Sequence, residues 1–302
     1  MSFRSENERR GPFDRPPDSE LSAARKAPEE EGGHRRLVAG PPGRRLVPLI
    51  IVGVLLLALV VGAVLLWFSY GDRAGGTSVF EDSVESGPEP VVRLANESGR
   101  VSIEGVEGLE RVEISAKRYA RGFNPPRAKE NAAGVPVDIF QEGSNLEISS
   151  GGGRGTGTDY DVRVPPPSVI EVESATGDVE VSGLTNDVMV RAEGGDVTVE
   201  NIKGSIEIEA PQGDVTVESA STETGNAGVM VGSGDVTLTD LVVGIMETRV
   251  EAGDVTLSGR FSGSGRVFVE TGSISVKLPP EDVRELDLQT RVGEVVRGQG
   301  SE

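Results

Sequence analysis

Across residues 176–275 apolar and polar residues alternate strictly in short runs, as in Asp196-Val197-Thr198-Val199-Glu200, Asp214-Val215-Thr216-Val217-Glu218 and Asp235-Val236-Thr237-Leu238-Thr239. Strand side chains point to opposite faces at every second residue, so the Val and Leu positions share a buried face while Asp, Thr and Glu share a solvated one. A second alternating run follows in most units: Val188-Met189-Val190-Arg191-Ala192, Ser205-Ile206-Glu207-Ile208-Glu209, Val229-Met230-Val231 and Val267-Phe268-Val269. Each unit opens on a Gly-Asp-Val phrase, with the aspartates at 178, 196, 214, 235 and 254 and a drifted Gly272-Ser273-Ile274 closing the series; the steps are 18, 18, 21, 19 and 19 residues. A fixed period of this size means that one unit is stacked on itself, burying a continuous core that no unit could build alone. Two strands per unit, separated by Gly and polar turns, predict an all-β parallel solenoid with about 18–21 residues per coil, its corresponding strands in register. Gly before Asp marks the corners, since Gly accepts positive φ and Asp is a common turn residue.

The pattern changes upstream. Residues 46–70 carry no charge and run almost wholly apolar from Leu49 to Phe68. About 20 such residues cross a hydrocarbon core, which predicts one transmembrane α-helix ahead of the array. Arg35, Arg36, Arg44 and Arg45 flank its amino side, and the carboxyl flank soon turns acidic. The positive-inside rule then places the amino terminus in the cytoplasm and the array outside, a single-pass protein of the cell membrane. Residues 1–45, rich in Pro, Arg, Glu and Gly without apolar period, read as a disordered cytoplasmic tail, and residues 71–89, rich in Gly, Ser and acid, as a flexible stalk. The expected β-solenoid fills residues 90–298: an irregular capping part at 90–165, regular coils at 166–278 and a terminal coil at 279–298.

Charge and composition narrow the chemistry. The net charge is -19; the tail is slightly basic, with ten Lys or Arg against eight Asp or Glu, and the apolar run is neutral, so residues 71–302 carry -21. An exterior this acidic repels nucleic acid, which is not an expected partner. The only histidine, His34, lies in the tail, and the chain has no cysteine. A Ser-His-Asp triad in the array and the usual zinc sites are thereby excluded. The glycine loop Gly151-Gly152-Gly153-Arg154-Gly155-Thr156-Gly157 lacks the Lys-Ser/Thr of a phosphate-binding loop and reads as a turn. Stacking at about 4.8 Å would align Asp178, Asp196, Asp214, Asp235 and Asp254 into a ladder. Two such charges at ~5 Å in water repel by only about 0.8 kcal/mol, so a solvated face tolerates them and calcium would relieve them. Calcium needs six to eight oxygens and the denser calcium-roll nonapeptide is absent, which makes structural corners the leading reading and a calcium ladder the lesser one.

Tyr160-Asp161-Val162-Arg163-Val164-Pro165, the recurrent Gly-Asp-Val phrases and the closing Val276-Lys277-Leu278-Pro279 resemble the bacterial putative-adhesin family of β-strand repeats, a domain of unknown function. The resemblance spans roughly residues 91–298 and implies a membrane-tethered β-solenoid of the bacterial envelope; it supplies no catalytic residues. Together these readings predict a non-enzymatic adhesion, recognition or structural module without cofactor. Its partners would be the membrane, through residues 46–70, and an envelope glycan or protein, met by the flat strand face or the loops at 120–134 and 150–158. Two further readings stand beside it. One is an envelope-stress sensor or scaffold coupling the exterior to the tail; the other is a polysaccharide-active enzyme using surface carboxylates, which requires two carboxylates flanking one bond.

Overall fold

The computed structural model describes residues 74–279 and 285–298. The expected disordered tail at 1–45 and membrane helix at 46–70 lie outside the described residues, among which no helix is long and apolar enough to cross a membrane.

A single coil shows how the sequence folds. Strand β10 (Val188–Ala192) runs to the corner at Gly195-Asp196, turns into β11 (Val197–Glu200), bends at Asn201, and returns to begin β12 (Ile206–Gln212) directly beside β10. Val188 aligns with Ile206 and Val190 with Ile208, and in the next layer Val197 aligns with Val215 and Val199 with Val217 of β13 (Val215–Glu218), all parallel. The inward Val and Ile are buried, Val197 and Val199 completely so. Each fully buried side chain of this kind contributes about 1.5–3 kcal/mol of burial free energy, and the columns merge into one core along the stack. The strands preceding the Gly-Asp corners form one parallel sheet, here sheet A, and those following them a second, sheet B. Strands β14 (Ser221–Ser233), β15 (Val236–Ala252) and β16 (Val255–Thr271) are long because hydrogen bonding continues around the bend between the sheets. The 21-residue step fits because its extra residues fall at a register shift between Thr222 and Asn226, leaving Ala227 opposite Ile206. Strands β17 (Ile274–Lys277), β18 (Leu286–Val292) and β19 (Val295–Arg297) continue both sheets in parallel register.

At the amino-terminal end the order of coils in space departs from their order in sequence. Strands β2 (Val91–Asn96) and β3 (Val101–Gly105) form a coil that lies between two others. On one side are β6 (Asn145–Ser150) and β7 (Thr156–Val164); on the other are β8 (Val169–Ser174) and β9 (Val179–Ser182). The chain leaves this coil through β4 (Arg111–Gly122), which is antiparallel to β7, passes through helix α1 (Pro125–Ala133), and returns by β5 (Val137–Glu142), antiparallel to β6. Antiparallel strands and a helix thus cover the edges that parallel stacking leaves open. The region expected as a loop, 120–134, contains a capped helix. Asn124 accepts a hydrogen bond from the Arg127 N–H at 3.0 Å, Pro125 and Pro126 occupy its first positions, and Ala128 and Ala132 are buried beneath it.

The stretch expected as a flexible stalk, 71–89, is different in kind. Residues Ala74–Glu85 form strand β1, antiparallel to β4 over its whole length, from Ala74 opposite Gly122 to Glu85 opposite Arg111. Its glycines serve close packing. A Cβ on Gly76 would stand 2.3 Å from the backbone of Ala128, so the missing side chain is what lets α1 lie on this strand. Phe80 and Val84 pack against the core, and Arg118 stacks over the Phe80 ring at 5.8 Å while donating to the carbonyl of Ala133 at 3.0 Å.

Candidate functional site

The Gly-Asp corner is the most regular polar feature of the surface. Asp178 Oδ1 accepts the backbone N–H of Asp196 at 3.1 Å, Asp196 that of Asp214 at 3.0 Å, Asp214 that of Asp235 at 2.8 Å, Asp235 that of Asp254 at 2.8 Å, and Asp254 that of Ser273 at 2.7 Å. The five aspartates do form a ladder, and one oxygen of each is already committed to an amide of the following coil. Among the described residues no group of three or more His, Asp or Glu is placed to hold a metal ion. The glycines beside them stack as closely: a Cβ on Gly234 would stand 2.0 Å from the carbonyl oxygen of Gly213, and Gly234 has φ +151°. In the glycine loop, likewise, a side chain meets the backbone. The Gly152 N–H donates to Glu97 Oε2 at 2.6 Å, so a carboxylate takes the amide that a phosphate would need.

Two outward faces remain. On sheet B, Thr198, Thr216, Thr237 and Thr256 align in register one coil apart and are half-buried among their neighbours. Sheet A is chemically more varied. Crossing its strands, one outward row reads Arg93, Glu171, Met189, Glu207, Gly228, Glu247, Arg266 and Asp287, one residue per coil. The adjacent row passes through Arg191, Glu209, Met230, Arg249 and Phe268. Met230 and Ile245 are 55% and 58% exposed, and the Arg249 guanidinium sits 5.3 Å from the centre of the Phe268 ring. Gly228 interrupts the first row. It lies toward one end of a shallow depression of about 500 Å³ that crosses the sheet from Glu171 and Asp187, past Met189 and Glu207, to Met230 and Glu247.

Ion pairs organise most charges on this face. Arg93 bonds Glu171 at 2.8 Å, Arg191 meets Glu209 at 3.6 Å, and Arg266 meets Asp287 at 3.7 Å. Glu207 and Glu247, on either side of Gly228, have no ion pair among the described residues, even though Arg266 stands next to Glu247 in the row. The outward positions of the two methionines are legible in their alternating runs. The dent requires the register between coils, which sequence spacing of 18, 21 and 19 residues does not specify.

Of the surfaces expected to meet a ligand, the strand face carries exposed Met230 and Ile245 beside a depression, segment 120–134 is held by α1 and leaves Phe123 exposed, and segment 150–158 runs into β7.

No curated protein matches the chain. Among solved structures the chain is similar to a putative adhesin from Bacteroides fragilis NCTC 9343, at 15% identity and a TM-score of 0.48 over 73% of this chain and 97% of that one. It is also similar to a putative cell adhesion protein from Clostridium sporogenes ATCC 15579, at 10% identity and a TM-score of 0.32 over 74% and 99%. A putative adhesin from Parabacteroides distasonis ATCC 8503 is similar at 12% identity and a TM-score of 0.30 over 73% and 97%. Residues 158–299, the segment of stacked Gly-Asp coils, match the Toastrack DUF4097 family model.

Proposed function

We propose that the chain is a membrane-anchored recognition module, non-enzymatic in kind, whose solenoid is displayed outside the cell and binds an envelope or matrix component through the outward face of sheet A. The observation that carries this reading is the set of exposed apolar side chains, Met230 and Ile245 foremost, in the middle of an otherwise charged sheet. Apolar groups gathered on one outward sheet face offer a surface that a partner can cover. The neutral run at 46–70 and the arginines on its amino side support the anchor and its orientation. An acidic, cysteine-free exterior suits a domain held in solution at a distance from other anionic surfaces.

Because the chain has no cysteine, topology is testable with single introduced thiols. In intact cells, Ser301→Cys is expected to react with a membrane-impermeant maleimide and Ser5→Cys only after permeabilisation; the reverse pattern would overturn the orientation. Binding is tested by cells displaying the full chain on surfaces coated with envelope glycans or matrix proteins. Retention should exceed that of cells displaying Met230→Glu/Ile245→Glu, and equal retention would remove sheet A from the reading.

A further inference from the structure

Resting on that reading, we infer that the dent at Gly228 is the anchoring point for a basic, extended peptide segment, with a Lys or Arg side chain lying across Gly228 between Glu207 and Glu247. Three observations converge there. The two glutamates are exposed and occupy the positions immediately before and after Gly228 in one outward row, so successive strands hold them about 9–10 Å apart, twice the inter-strand spacing. Neither has an ion pair among the described residues, whereas three other carboxylates of the same face, Glu171, Glu209 and Asp287, are each matched by an arginine. Between them the floor is backbone at Gly228, with Met230 two residues along the same strand and Met189 one strand beyond Glu207.

This geometry fits the two parts of a long cationic side chain. Its methylene stem is apolar and lies on the bare glycine and Met230; its charged end needs carboxylates at the rim. Methionine is suited to such contact because it is unbranched and adapts to the shape laid on it. An anionic glycan finds the opposite arrangement, since two unpaired carboxylates repel it. Beyond the dent, exposed Ile245 offers a place for an apolar residue of the same segment. The -21 charge of residues 71–302 draws such a segment toward the solenoid, while the paired arginines of the face restrict where it settles.

Gly228 allows a test that leaves the charges alone. Its φ is not positive, and an added Cβ would have its nearest neighbour, the Ile206 carbonyl oxygen, 3.9 Å away, so Gly228→Leu covers the bare backbone between the two glutamates without backbone strain. The full chain in detergent micelles would be titrated against a fluorescein-labelled nonapeptide of alternating Lys and Leu, with a Glu-Leu peptide as control, followed by anisotropy at two salt concentrations. Saturable binding of the Lys peptide alone is expected. Glu207→Gln/Glu247→Gln should weaken it about tenfold, the size of effect that losing two surface charge pairs gives. Gly228→Leu, which leaves every charge in place, should weaken it at least as much. If Gly228→Leu binds like the parent while the double glutamine variant does not, the peptide is responding to general acidity and the dent is not a site. No binding by the parent also overturns the inference. Retention of displaying cells on coated surfaces reports separately on the function proposed above: retention lost on Met230→Glu/Ile245→Glu but kept on Gly228→Leu would leave the recognition face standing without this anchor.

Discussion

Asp214 accepts the backbone N–H of Asp235 through Oδ1 at 2.8 Å, one full coil away in sequence and one strand away in space. The contact joins successive coils at the corner, between the backbone bonds from Gly213 N–H to the Ser233 carbonyl and from Val215 N–H to the Asp235 carbonyl, and the residue whose amide is capped is itself the cap for the next coil. A side chain used in this way stabilises by about 1 kcal/mol when it replaces water at an exposed amide. Asp214→Ala should therefore lower the melting temperature by about 2–4 °C for a domain of this size. Asp214→Asn, which keeps an acceptor oxygen, should lower it by less. Millimolar calcium should leave the melting temperature of the parent unchanged, because ladder aspartates act singly on amides; a calcium-dependent rise lost in Asp214→Asn would show the corner to be an ion site after all.

The glycine column makes a sharper prediction. Gly234 has φ +151° and its missing Cβ would overlap the Gly213 carbonyl oxygen at 2.0 Å, whereas Gly194, one residue before a corner glycine, has only the Ala175 carbonyl oxygen at 3.8 Å. Gly234→Ala must push two coils apart and should cost more than about 2 kcal/mol, or prevent folding. Gly194→Ala should be neutral to within about 0.5 kcal/mol. Chemical denaturation of the two variants side by side separates the stacking contact from any general intolerance of substitution at these turns.

That contrast also marks how far the chain's own pattern reaches. The repeated corner at Gly195-Asp196 and its equivalents is legible in the sequence because every coil solves the same local problem, and alternation by itself assigns Val197 and Val199 to the core, where they are fully buried. The close approach of Gly213 to Gly234 is not legible, since positive φ and tight stacking ask for the same residue. Strand β1 escapes the pattern for a related reason. Gly75, Gly76 and the acidic residues after them have the composition of a linker, and only the pairing with β4 and the helix laid on Gly76 distinguish them from one. The row Glu207, Gly228, Glu247 depends on register between coils of unequal length, which is a property of three segments at once.

Alkaline pH probes the amino-terminal core. Tyr160 is almost wholly inaccessible, and burial raises its phenol above the ordinary value of 10.0, with Ser150 and Arg118 opposing the rise and Asp138 adding to it. The folded chain therefore holds this proton where the unfolded chain has lost it. Stability should be unaffected by this group below pH 10, then fall as pH rises from the unfolded value toward the raised folded one. Tyr160→Phe should flatten that alkaline decline relative to the parent in urea melts. An equal slope in both proteins would assign the decline to other groups.

The antiparallel cap is most directly tested at Gly76. If residues 74–85 were a tether, their side chains would be indifferent to size and their removal harmless. As strand β1 they shield one edge of β4 and part of the core beneath it, where Val112 and Ala116 are fully buried. An exposed strand edge beside apolar core is a template for pairing with other chains. Deleting residues 74–85 should accordingly give a protein that aggregates during expression. The point variant Gly76→Leu keeps the strand but forces a side chain into the Ala128 backbone, 2.3 Å from where the Cβ would sit. It should lift α1 and cost about 2–3 kcal/mol, the range seen when a well-packed contact is overfilled. Gly75→Leu is the matched control, because nothing lies within 4 Å of its Cβ position. Equal melting temperatures for the two leucine variants would return this segment to the status of a linker.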